Sequence, residues 1–68
     1  MHELREEGTD ALLTTFGGQV PRVGEEVRWA DGRGRGFSAR VQRVVWVLEP
    51  SRDEHVAESQ SALIYVQT

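Results

Sequence analysis

Alternation of apolar and polar positions, with a period of two, runs through most of this chain. Glu26-Val27-Arg28-Trp29-Ala30 places Val27 and Trp29 on one face of a strand. Phe37, Ala39 and Val41 share a face, with Ser38, Arg40 and Gln42 opposite. Strict alternation would next turn Arg43 inward. One extra residue near Gln42-Arg43 returns the apolar face to Val44, Trp46 and Leu48, so the pattern predicts a β-bulge there. Val45 and Val47 then point the other way, which leaves this strand apolar on both sides. No stretch of eleven residues repeats apolar positions at helical spacing, and the nine valines suit strands.

Turn residues divide the pattern into five strands. Residues 1–6 pair with 9–16 across Glu7-Gly8, or fray. Gly17-Gly18 ends the second run, and Val20-Pro21-Arg22-Val23-Gly24-Glu25 forms a turn. Asp31-Gly32 signals a hairpin, lengthened by Gly34 and Gly36. Pro50 ends the long strand, Ser51–Glu54 makes a charged loop, and Val56-Ala57-Glu58 opens a last ladder with its apolar part at 62–67. The expected fold is a single all-β domain over residues 1–68, a small five-stranded antiparallel barrel or bent sheet. Trp29 and Trp46 are expected to fill its core, the alternative being that at least one lies exposed as an interface anchor.

Pro21-Arg22-Val23-Gly24-Glu25-Glu26-Val27 resembles the P-x-V-G-x-x-V opening of SH3-like barrel modules. The strand Val41–Leu48, with its valines ahead of Trp46, is similar to one in small bacterial and phage proteins. The resemblance spans residues 20–48 and implies an SH3-like fold; no activity transfers with it.

Sixty-eight residues bury only about 60% of the surface of the unfolded chain, so a second stabilising factor is expected. Cysteine is absent, which excludes disulfides, thiolate catalysis and zinc–thiolate sites. With only His2 and His55, a protein-only metal site is not expected, and neither is a cofactor. Self-association remains, most simply a two-fold dimer through an edge strand or the Val45/Val47 face. No apolar run approaches a membrane span, and the acidic start lacks a secretory apolar core, so a cytoplasmic protein without membrane contact is expected.

The formal charge of −3 conceals a bipolar chain. Residues 1–10 set four acids against Arg5, and residues 49–58 set four acids against Arg52. Residues 22–43 set six arginines against three acids, leaving +3 in the middle. Lysine is absent, and arginine forks pair with carboxylates and phosphates. Arg33-Gly34-Arg35-Gly36-Phe37 combines cationic forks, a permissive backbone and a stacking ring, a miniature nucleic-acid segment or a solvated loop. Glu25 and Glu26 face opposite sides of a strand and cannot share a proton, and Gly32, Gly34 and Gly36 lack phosphate-loop spacing.

No catalytic set emerges. The expected function is that of a non-enzymatic protein-interaction module, by analogy a phage or bacterial accessory or inhibitory protein that occupies a partner protein. Its candidate contact residues are Arg28, Arg33, Arg35, Arg40, Arg43, Val45 and Val47. The alternative is a nucleic-acid-binding barrel using Arg22–Arg43. The two separate on geometry: arginines sharing a face favour nucleic acid, and acids interleaved among them favour internal pairing.

Overall fold

The computed structural model describes residues 1–48 and 60–68. Five strands follow in order: β1 (His2–Glu6), β2 (Leu12–Phe16), β3 (Glu26–Ala30), β4 (Gly36–Leu48) and β5 (Gln60–Gln67). There is no helix among the described residues. The strands form one sheet in the order β2-β1-β5-β4-β3. It curls into a half-barrel, with β2 and β3 as its two open edges.

The expected all-antiparallel pairing needs correction. β1 runs parallel to β5, pairing Leu4 with Ile64 and Arg5 with Tyr65, while every other neighbouring pair is antiparallel. The reason is the connection: β1 and β5 are far apart in the chain, and no tight turn dictates their direction. Residues 1–6 become the second strand of the sheet, bonded on both sides.

The bulge stands where the alternation demands it. Val41 pairs with Val66, and Arg43 with Tyr65, leaving Gln42 as the extra residue. Val44, Trp46 and Leu48 consequently join Val41 on the concave face, and Arg43, Val45 and Val47 take the convex one. A second irregularity, where Leu4 opposes Thr14 and Arg5 opposes Leu12, leaves Leu13 unpaired on β2. Bulges increase local twist, which helps the sheet to curl.

Leu4, Val41, Ala62, Ile64 and Val66 form the buried core, each at most 1% exposed. Fully burying a leucine, isoleucine or valine contributes about 1.5–3 kcal/mol. Phe16, Val20, Val27, Trp29, Ala39 and Val44 pack around them, half-buried. Trp46 departs from expectation: it is 51% exposed, and Leu48 is 68% exposed. Alternation turned Trp46 to the concave face, but that face is deep only at its centre, where β1 and β5 lie, and it opens along β4.

The turns behave locally. Glu25 N–H donates to the Arg22 carbonyl across Val23-Gly24, with Gly24 at φ 92° where a type II turn requires glycine. The hairpin β3–β4 closes on the three-residue loop 32–34, with Asp31 N–H donating to the Arg35 carbonyl and Gly34 at φ 82°. The segments expected at 49–59, Pro50, the loop Ser51–Glu54, His55 and Val56-Ala57-Glu58, lie outside the described residues.

Candidate functional site

The concave face is an open trough. Leu4 of β1, Phe16 and Thr14 of β2, and Val27 and Trp29 of β3 line a cleft of about 330 Å³ between the two edge strands, with Gln19, Pro21, Glu26 and Arg28 at its rim. At one end the Trp29 and Phe37 rings stack with centroids 5.7 Å apart, and the Arg35 guanidinium lies 5.6 Å over Phe37. At the other, Val20, Pro21, Val23, Val44 and Trp46 border a second hollow of about 300 Å³. Val23, Phe37, Trp46 and Leu48 leave apolar surface in the open. Such surface marks contact sites more often than a scattered exposed leucine does.

Of the sequence-predicted contact residues, Arg28 reaches the rim of this trough and Arg35 its end, while Arg33, Arg40, Arg43, Val45 and Val47 lie elsewhere. Arg28, Arg40 and Arg43 share the convex face, the arrangement that would favour nucleic acid. Acids and carbonyls are interleaved among them, however. Arg28 Nε pairs with Glu26 Oε1 at 3.0 Å, and Arg40 Nη1 donates to the Gly24 carbonyl at 3.0 Å. Arg43 meets Glu7 at 3.2 Å and lies 4.1 Å over the Tyr65 ring. Arg33 and Arg35 stand in the β3–β4 loop. Both of their backbone N–H groups donate to Asp31 Oδ1, at 2.8 and 2.9 Å, so a carboxylate already fills the place an anion would take. Val45 and Val47 flank Leu63 and Ser61 on the convex face, half-buried.

Two constellations escape a reading of the sequence. The first is a knot on the convex face. Asp10 has φ 61°, a left-handed conformation that aspartate adopts more readily than most residues. Its carbonyl accepts from Arg5 Nη1 at 2.7 Å, and its carboxylate lies 3.6 Å from the same guanidinium. Arg5 Nη2 also donates to Glu3 at 2.6 Å, which holds the guanidinium more firmly protonated than usual. Side-chain hydrogen bonding with Asp10, desolvation and the charge of Asp10 raise the Tyr65 phenol above its ordinary value, against the lowering influence of Arg43 and Arg5. The only signal in sequence is Asp10 within a turn.

The second is His2. Its ring is buried, Nε2 lies 3.1 Å from the Gly18 carbonyl, and Nδ1 accepts from Ala62 N–H at 3.0 Å. The amide proton fixes Nδ1 as the acceptor, so Nε2 carries the ring proton and donates to Gly18. The ring also meets Phe16 at 5.4 Å and the edge of Trp46 at 6.4 Å. His2 thus acts as a structural joint between β1, β5 and the loop after β2. Among the described residues no group of three or more metal-ligating side chains gathers.

Comparisons of the chain with protein-family models, with curated proteins and with solved structures find no match.

Proposed function

We propose that this chain is a non-enzymatic protein-interaction module that occupies a partner protein through its concave trough. The carrying observation is the open cleft between β2 and β3, with its apolar floor of Leu4, Phe16, Val27 and Trp29. Aromatic residues and arginine dominate the strong contacts of protein interfaces, and Trp29, Phe37, Trp46 and Arg35 are grouped along this face. Binding to nucleic acid through Arg22–Arg43 is less well supported. Arg28 and Arg43 are paired with acids, and the loop amides are occupied by Asp31.

The test is capture from nuclease-treated cytosol of the source cell, using three baits: wild type, Trp29→Ser and Val45→Ser. The expected result is a protein retained by wild type and Val45→Ser and lost with Trp29→Ser, each bait being checked for its fold by circular dichroism. Capture that vanishes on nuclease treatment, or that follows Val45 rather than Trp29, would overturn the proposal.

A further inference from the structure

Among the described residues the half-barrel stops short of closing, and both flanks of its gap are strand edges without a neighbour. On the β3 side the direction of the main-chain groups can be read from the ladder. Val41 N–H donates to the Glu25 carbonyl, and Asp31 N–H to the Arg35 carbonyl. In the register that pairs Val27 with Ala39 and Trp29 with Phe37, the odd positions therefore bond to β4. Antiparallel ladders alternate, so Glu26, Arg28 and Ala30 turn their N–H and C=O groups outward to the gap. On the other flank β2 bonds, among the described residues, only to β1, and its sequence Leu-Leu-Thr-Thr-Phe contains neither charge nor proline, the usual guards of an exposed edge.

A row of main-chain donors and acceptors above an apolar floor suits one kind of object, another main chain in extended form. A helix bonds its interior backbone groups to itself and presents no row of them along its side. A second copy of this chain also has free edges, β2 and β3, and dimerisation in sedimentation that is lost when the β3 edge is blocked would place a copy in the gap instead and overturn the inference.

We infer that the gap takes an extended segment of a partner protein as an additional strand, hydrogen-bonded to Glu26, Arg28 and Ala30; this rests on the protein-interaction reading above. The segment's chemistry follows from its neighbours. Alternate side chains turn inward onto Phe16, Val27 and Trp29, and so are apolar. The intervening ones stand beside Glu26 and Arg28 on the convex face; these two pair with each other, but the pair is solvent-exposed and weak, so a basic and an acidic residue two positions apart can pair with them in its place.

The probe is a random dodecapeptide library displayed on phage and panned against the whole chain. Enriched peptides should alternate apolar and polar residues, with opposite charges two apart. Backbone N-methylation should weaken them by about tenfold for each hydrogen bond blocked. Bound peptide should slow amide exchange at Glu26, Arg28 and Ala30, and the exchange variant Glu26→Arg/Arg28→Glu should invert the charge preference. Binders indifferent to N-methylation, binders with helical spacing, or exchange unchanged at those three amides would overturn the strand while leaving the interaction reading intact. So would a failure to enrich any peptide while Trp29-dependent capture persists. Loss of both would remove the two proposals together.

Discussion

The Ala62 amide donates to Nδ1 of His2, a hydrogen bond across sixty positions of the chain that stands in for a rung of the β1–β5 ladder. Its donor belongs to a residue with no exposed surface. An acceptor removed from beside a buried amide leaves an orphan that costs about 1–3 kcal/mol. His2→Phe keeps an aromatic ring against Phe16 and Trp46 and deletes only the polar contacts. It should lower the unfolding free energy by that amount, read as a fall in the urea midpoint at unchanged slope, and an unchanged midpoint would show that the bond is dispensable.

The two tryptophans differ in their surroundings, and fluorescence can separate them. In Trp29→Phe the remaining emission comes from Trp46, half-exposed at the rim of the trough. It should be red-shifted and strongly quenched by acrylamide. In Trp46→Phe, emission from the half-buried Trp29 should lie further to the blue and be protected from quencher. Truncation should follow the same order: Ile64→Ala costs about 2–5 kcal/mol, as a fully buried side chain does, and Trp46→Ala costs less than Ile64→Ala.

Tyr65 is the only tyrosine, so its titration can be followed by ultraviolet absorbance without interference from another. Its phenol is raised chiefly by the hydrogen bond to Asp10. A raised value in the folded state means that the fold favours the neutral phenol. The resulting stability is fully present below the ordinary value near 10 and declines as pH rises through the folded value. Wild type should therefore lose stability above about pH 10 more steeply than Tyr65→Phe. Asp10→Asn should bring the titration back toward that of free tyrosine; an unmoved titration curve would count against the Asp10 contact.

Two glycines two positions apart should respond oppositely to alanine. Neither would meet an atom within 4 Å of an added Cβ, so sterics beyond the backbone play no part. Gly34 has φ 82°, and Gly34→Ala should destabilise by about 1–2 kcal/mol. Gly36 begins β4 outside that region, and Gly36→Ala should be neutral or stabilise by about 0.4–1 kcal/mol, by restricting the unfolded chain. Thermal melts of the two variants decide the matter.

What the sequence disclosed was what alternation encodes. Val27 with Trp29, the shift of register at Gln42 and the outward turn of Val45 and Val47 are all periodic facts, local to one strand. Alternation assigns a face, though, and says nothing about what lies above it. Trp46 was placed on the correct side, yet it is half-open because no segment of the described chain covers that part of β4. The parallel union of β1 with β5 was illegible, since no turn joins them. His2 and Asp10 were missed for the same reason: their partners, Gly18, Ala62, Arg5 and Tyr65, come together only when the sheet does. The candidate arginines were visible as a charged segment, but the acids that neutralise them, Glu7 above all, lie elsewhere in the chain.

The parallel seam between β1 and β5 also sets the order of events during folding. The hairpins β1–β2 and β3–β4 can each zip from their own turns within microseconds, since their strands are neighbours in the chain. The centre of the sheet cannot: Leu4 meets only Thr14 across its hairpin until Ile64 is brought back to its other side. A structure whose middle is assembled from distant segments has high contact order and folds in milliseconds to seconds. Through that interval β1–β2 exists as a hairpin with Leu4 uncovered, and that is when the chain is most exposed to aggregation.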